Sequence, residues 1–227
     1  MCIRDRYNFP SNPTGATITV EQRDALLDFA RRHDLWIISD EVYDRIIYGS
    51  EHVSFLGTGY DQVLLVNSFS KTFAMTGWRI GYILSTNLEA MKQLVKLQYY
   101  VTACSNDAMQ YAVLSAFEDA YDYPAQMTQE FLARRNLICE RLNAMPGVSC
   151  HIPEGAFYVF PKVEVPGMNS EEVAIELLKG GVLCSPGTAF GESGEGHLRF
   201  AYTIGREDIS RGMDKVETVL NKLRDDA

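Results

Sequence analysis

A lysine set directly behind a buried strand can do carbonyl chemistry. Val63-Leu64-Leu65-Val66 is a short apolar, β-branched run that reads as a strand buried on both faces. It leads into Asn67-Ser68-Phe69-Ser70-Lys71-Thr72-Phe73-Ala74-Met75-Thr76-Gly77-Trp78-Arg79-Ile80-Gly81. An amine held there loses solvation, which favours its neutral, nucleophilic form. Ser68, Ser70 and Arg79 add hydroxyl donors and one fixed cation, while Gly77 and Gly81 let backbone come close. This set suits a phosphate beside an aldehyde. Taken alone, Lys71 reads far more readily as a surface lysine on a loop, and only the whole stretch favours the other reading.

Two more polar residues stand in comparable places. Asp40 follows Leu35-Trp36-Ile37-Ile38, a second buried run. Asn12 projects from a turn held extended by Pro10 and Pro13 and closed by Gly15, just past Tyr7-Asn8-Phe9, the tail of another strand. Between them Thr19 and Gln22 form a capping box, opening a helix to about His33 with Leu26, Phe29 and Ala30 on one face. Helix and strand alternate, which gives right-handed crossovers and a parallel sheet. Ligands of such sheets bind beyond the carboxyl ends of the strands. Asn12, Asp40 and the Ser68–Lys71 segment all fall at that edge.

The elements that follow read differently. Ile80–Leu84 is a further strand, and Asn87 caps a helical stretch to about Asp119, broken near Thr102–Asn106. Pro124 opens a helix that ends before Pro146-Gly147 and is long enough to bridge two domains. Beyond it, Val148–Ile152, Phe157–Pro161, Val182–Cys184 and His197–Thr203 read as short strands. Ser170 caps a helix, the glycine-rich Pro186–Gly196 reads as a mobile loop without a phosphate-binding spacing, and Ile209, Met213, Val216, Leu220 and Leu223 form an amphipathic stripe. The expected division is 1–122, a bridging helix over 123–145, and a small α+β domain over 146–227.

Composition narrows the classes. With 227 residues, 46% apolar and 22% charged, the chain has ample material for a core. A net charge of −9 argues against nucleic acid as a partner, and no apolar run approaches the roughly 20 residues of a membrane span. Cys2, Cys104, Cys139, Cys150 and Cys184 are scattered and never spaced C-x-x-C, which reads as reduced, mostly buried thiols of a cytoplasmic protein. His33, His52, His151 and His197 have no metal-ligand spacing and read as surface or strand-end residues.

Ser-x-Ser-Lys followed eight residues later by Arg79, within Gly-x-Arg-x-Gly, resembles the lysine segment of class I/II (fold type I) pyridoxal-phosphate-dependent aminotransferases. Asn12-Pro13-Thr14-Gly15, Ser39-Asp40-Glu41-Val42-Tyr43 and Leu198-Arg199-Phe200 resemble that family's other signatures, in the family's order. The resemblance implies an α/β fold, a mostly parallel sheet sandwiched by helices, with the large domain incomplete and a small α+β C-terminal domain. It implies pyridoxal 5'-phosphate bound through Lys71, with Asp40 at the pyridine nitrogen, Tyr43 and Asn12 at the phenolic oxygen, and Ser68, Ser70 and Arg79 at the phosphate. Arg199 would fork onto the substrate's α-carboxylate, which Asn12 also touches. The implied activity is amino transfer from an aspartate-like donor to a 2-oxo acid, in a homodimer.

Each residue also has a plainer reading: Asp40 as a helix cap, Tyr43 as core, Arg79 and Arg199 as ion-pair partners. A pyridoxal-phosphate lyase or synthase on the same scaffold would share every one of these residues. The effector domain of a transcription regulator would need a basic domain that nothing in this acidic chain supplies. By the resemblance the chain is roughly the C-terminal three-fifths of the family's polypeptide. It is then a fragment that lacks the upstream phosphate cup and ring-stacking aromatic and is itself inactive, with Met1–Arg6 an unrelated leader.

Overall fold

The computed structural model describes residues 4–226, so Met1–Ile3, with Cys2, lie outside the described residues. The chain divides into two compact units, one of Thr17–Met127 together with the segment up to Pro10, the other of Ser11–Ala16 and Thr128–Ala227.

The first unit is built on a four-stranded sheet. Its strands are β1 (Arg4–Asn8), β2 (Trp36–Asp40) and β3 (Val63–Ser68), mutually parallel, with β4 (Gly81–Leu84) antiparallel on β3. Arg4–Arg6 pair with Trp36–Ile38 as the first part of β1. Helix α1 (Val20–His33) crosses between β1 and β2, and both halves of the Thr19–Gln22 capping box form. Its inward residues are Leu27 and Ala30; Phe29, expected on that face, is 45% exposed. Leu27, Ala30, Ile37, Val63, Phe55 and Ile18 make one core cluster, with Tyr7 stacked on Phe55.

The strands were expected to be buried on both faces. They alternate instead: Val63, Leu65 and Asn67 of β3 are buried, and Leu64, Val66 and Ser68 half-buried. The α1 side of the sheet is covered more fully than the other. A one-turn helix α2 (Phe69–Thr72) follows β3, where a loop was expected. Asn87 caps α3 (Leu88–Thr102) and Asn106 caps α4 (Asp107–Asp119), so the expected break falls where the cap residue sits. Helix α3 buries none of its residues.

Helix α5 (Tyr123–Asn143) begins in the first unit and runs into the second. The second unit adds β5 (Val148–Ser149), β6 (Tyr158–Val159), β7 (Lys162–Val163), α6 (Ser170–Lys179), β8 (Ser185–Pro186), β9 (Leu198–Ala201) and α7 (Arg206–Asp225). β5 pairs with β7, and β6-β9-β8 form a small antiparallel sheet. The strands are shorter than expected, and Pro153 and Pro161 follow the first two closely. The expected strand at Val182–Cys184 is displaced to Ser185–Pro186, with Leu183 82% exposed. Asn169, not Ser170, caps α6, in a capping box with Glu172. The stripe on α7 packs inward through Ile209, Met213, Val216 and Leu220.

Candidate active site

In the first unit the carboxyl ends of β2 and β3 lie side by side, with Asp40 opposite Val66 and Ser68 two residues further along. Phe69 and Thr72 of α2 are buried, Phe69 against Ile80, Val113 and the edge of Phe117. Those two anchors leave Ser70 and Lys71 half-buried between them. Ser68, Ser70 and Arg79 line one cavity of about 890 Å³ with Val42, Asn67 and Tyr99; Lys71, Asp40 and Tyr43 do not line it. Arg79 is exposed, has a positive φ of 55°, and donates to the Thr76 carbonyl at 3.0 Å. Of the two glycines expected to let backbone approach, only Gly81 does so: a Cβ there would lie 2.7 Å from the Asn67 carbonyl oxygen, whereas Gly77 faces open space.

Asp40 is 7% exposed, and its carboxylate receives a hydrogen-bonded ion pair from the exposed Arg6 side chain. Tyr43 is buried at 4% exposure in the turn after β2. Asp44, next to it, accepts from Thr72 of α2 at 3.5 Å. Burial pushes the Asp44 carboxyl up, and the hydrogen bond from Asn67 only partly opposes this. The turn bearing Tyr43 is thus tied to both α2 and β3.

A residue with no expected role, Glu41, organises the same turn. Its buried carboxylate accepts from Ser39 at 2.7 Å, Ser54 at 2.9 Å and the Phe55 N–H at 3.2 Å, and meets His52 Nε2 at 2.5 Å. His52 therefore is not the bland surface residue expected. Strand alternation was the signal available: Glu41 lies two residues beyond Ser39 and shares its face. Burial raises the Glu41 pKa, but the hydrogen bonds from His52 and Ser39 and the His52 charge outweigh it and hold the group below its ordinary 4.5. A depressed folded-state pKa gives stability that is present above the unfolded value and lost as pH falls through the folded one. Glu41→Ala is expected to cost about 3–5 kcal/mol at neutral pH, as for breaking a buried pair. The gap from the parent should narrow in acid below pH 4.5. Urea midpoints at neutral and acid pH check this; an equal loss at both would show that the carboxylate's charge is not what stabilises the turn.

The second unit brings Asn12 and Arg199 together. Arg199 Nη1 donates to Asn12 Oδ1 at 2.8 Å, and its Nη2 to Ser185 Oγ at 3.2 Å. The Asn12 turn carries cis peptides at Phe9-Pro10 and Asn12-Pro13. It is clamped at Gly15, whose carbonyl accepts the N–H groups of Glu154 and Gly155 at 3.0 and 2.9 Å. Gly15 has φ +69°, and a Cβ there would lie 2.3 Å from that of Pro153, so only glycine fits. The Gly187–Gly194 segment is not the loose loop expected. It forms two short 3₁₀ turns, and Gly187 and Gly194 abut so closely that a Cβ on Gly187 would lie 1.9 Å from the Gly194 carbonyl oxygen.

The donor set matches the needs of pyridoxal phosphate. Two hydroxyls and a guanidinium on one cavity wall suit a phosphate, and a buried carboxylate at the neighbouring strand end suits a protonated ring nitrogen once Arg6 moves aside. The residues present fit the group. Among the described residues no cluster of His, Cys, Asp or Glu could hold a metal ion, and no helix is long and apolar enough to cross a membrane.

Residues 7–216 match the family model described as "Aminotransferase class I and II". The chain is 38% identical over 223 residues to aromatic-amino-acid aminotransferase 2 of Thermococcus litoralis, covering 96% of this chain and 57% of that protein. It is 38% identical over 217 residues to an aspartate aminotransferase of Pyrococcus horikoshii, covering 94% and 55%. The crystal structure of the Pyrococcus horikoshii aromatic aminotransferase superposes with a TM-score of 0.91 at 38% identity, over 96% of this chain and 60% of that one. Thermus thermophilus aspartate aminotransferase, solved with maleate, superposes with a TM-score of 0.89 at 32% identity, over 95% and 56%. The chain thus spans 55–57% of the length of these two curated relatives.

Proposed function

Because the chain belongs to the class I and II aminotransferases, whose cofactor is pyridoxal phosphate, we propose that the whole protein moves an amino group from an aspartate-like amino acid to a 2-oxo acid. The observation that carries this reading is Lys71 on the single helical turn that closes β3, with Ser68, Ser70 and Arg79 of the same stretch lining one cavity. Ser68, Ser70 and Arg79 hold the phosphate, and Lys71 binds the aldehyde. Asp40 keeps the ring nitrogen protonated, and Tyr43 donates to the phenolic oxygen. Bound pyridoxal phosphate supplies an electron sink that makes an amino acid's α-hydrogen acidic. With that group bound, the Lys71 amine would be the base that takes the proton from the α-carbon and the acid that gives it back.

In the second unit Arg199 receives the α-carboxylate, its planar fork matching two oxygens, and Asn12 steadies the fork and meets the same carboxylate. The aspartate-like preference is supported by the name of the Pyrococcus relative and by the dicarboxylate in the Thermus structure. We place the whole protein in the cytoplasm as a homodimer. We assign 1–122, apart from the Ser11–Ala16 turn that belongs to the second unit, to the large cofactor-binding domain, 123–145 to the segment carrying the bridging helix, and 146–227 to the small domain.

Product analysis tests the reading. The whole protein, loaded with pyridoxal phosphate and given aspartate and 2-oxoglutarate, is expected to yield oxaloacetate and glutamate in equal amounts, without release of ammonia. Ammonia with a 2-oxo acid and no glutamate would instead mark a lyase.

A further inference from the structure

The guanidinium of Arg199 lies over two aromatic rings. Its central carbon is 4.6 Å from the ring centroid of Tyr158 and 4.7 Å from that of Phe190. Tyr158 belongs to β6 on one side of β9, and Phe190 to the turn that follows β8 on the other. We propose that Tyr158 and Phe190 are positioning residues that grip the Arg199 guanidinium by its faces and present its N–H edge to a carboxylate.

Four observations support the grip. Asn12 and Ser185 each take one hydrogen bond, one from each Nη, so the guanidinium is held through its N–H groups as well as by the two rings. Each Nη carries a second proton to offer. Phe190 is itself held: its ring meets Phe160 edge to face at 6.0 Å, and Phe160 stacks on His197 at 5.0 Å. The backbone that bears Phe190 is pinned where Gly187 and Gly194 abut.

The physical benefit is preorganisation. A guanidinium on a long aliphatic stem loses rotamer freedom whenever it binds a planar anion. Rings on its faces take most of that loss before the ligand arrives. They add cation–π attraction without taking an N–H group as a hydrogen-bond acceptor would, which leaves those groups for the carboxylate. An acid placed on Arg199 would grip as well but would neutralise it.

The inference rests on the reading of Arg199 as the carboxylate residue, and the test separates the two. The whole protein, labelled with ¹⁵N-arginine, is titrated with maleate while the Arg199 side-chain N–H signal is followed. In the parent that signal should start upfield, from the two ring currents, and move on binding. Phe190→Leu and Tyr158→Leu should each relax part of the upfield shift and weaken maleate about fivefold, the size of one partly desolvated cation–π contact. Phe190→Trp should bind at least as tightly as the parent, and Tyr158→Phe should keep the parent's affinity. In turnover the leucine variants should raise KM for both substrates with kcat little changed. Parent-like maleate affinity in both leucine variants would overturn the grip and leave Arg199 as the carboxylate residue. A maleate titration that leaves the Arg199 signal unmoved in the parent would overturn both.

Discussion

Lys71→Ala in the whole protein is expected to abolish amino transfer, with a loss of about 10⁴-fold or more, the upper range for removing a group that moves the proton in the transition state. The proposal gives Lys71 two tasks, binding the aldehyde and carrying the α-proton, and no neighbour can take over either. The closest side chains of its own stretch, Ser70 and Thr72, are hydroxyls, and Thr72 is buried toward Asp44. Lys71→Arg should be as inactive, because a guanidinium keeps the charge but stays protonated and does not attack a carbonyl. Cofactor affinity should fall much less, since Ser68, Ser70 and Arg79 still line their cavity. Borohydride reduction of the loaded parent should fix the cofactor on one peptide, the one bearing Lys71. A label on any other lysine, or an active Lys71→Ala, would remove the basis of the proposed chemistry.

What could be read from the residues alone depended on how local the cause was. The Thr19–Gln22 capping box, the Asn87 cap and the break before Asn106 were legible because a cap is decided within four residues. The parallel pairing of β1 with β2 followed from the helix between them, a rule of connection, whereas β2 and β3 pair in parallel with no helix between them. Burial on both faces of β3 did not follow, because an apolar run reports that a residue tolerates burial and says nothing of what covers it. Leu183 and Phe29 failed for the same reason: each is apolar and each is exposed.

The site divided along the same line. Asn12, Asp40, Ser68, Ser70, Lys71 and Arg79 sit in short motifs, and Asn12 with Arg199 proved to be bonded across most of the sequence. Glu41, His52, Tyr158 and Phe190 were missed as site residues because their roles arise from partners distant in sequence. Glu41 is joined by the side chain of a loop residue, and Arg199 gains its rings from a neighbouring strand and from a turn. The glycine-rich 186–196 segment was misread because glycines that permit mobility and glycines that permit close contact look identical in a sequence.

Asp40→Ala should lower turnover by about 10²–10³-fold, the range for losing one preorganised electrostatic partner of a developing charge. The ring nitrogen draws electrons from the reacting carbon only while protonated, and a buried carboxylate facing it favours the proton. Asp40 is suited to this because it is 7% exposed at the carboxyl end of β2, with its backbone carbonyl fixed by Asn8 at 3.1 Å. Arg6 now engages its carboxylate, and a protonated ring nitrogen would take the place of that cation, so that the buried carboxylate stays paired. The variant should still bind the cofactor through Lys71 and remain yellow, which separates this effect from a folding defect. A cofactor analogue bearing a permanent positive charge on the ring nitrogen should restore most of the lost turnover, because it no longer needs Asp40 to hold a proton. Turnover in Asp40→Ala equal to the parent's would reduce Asp40 to a strand-end residue paired with Arg6. Failure of the charged analogue to rescue a soluble, yellow variant would mean that Asp40 orients the ring and does not set its charge.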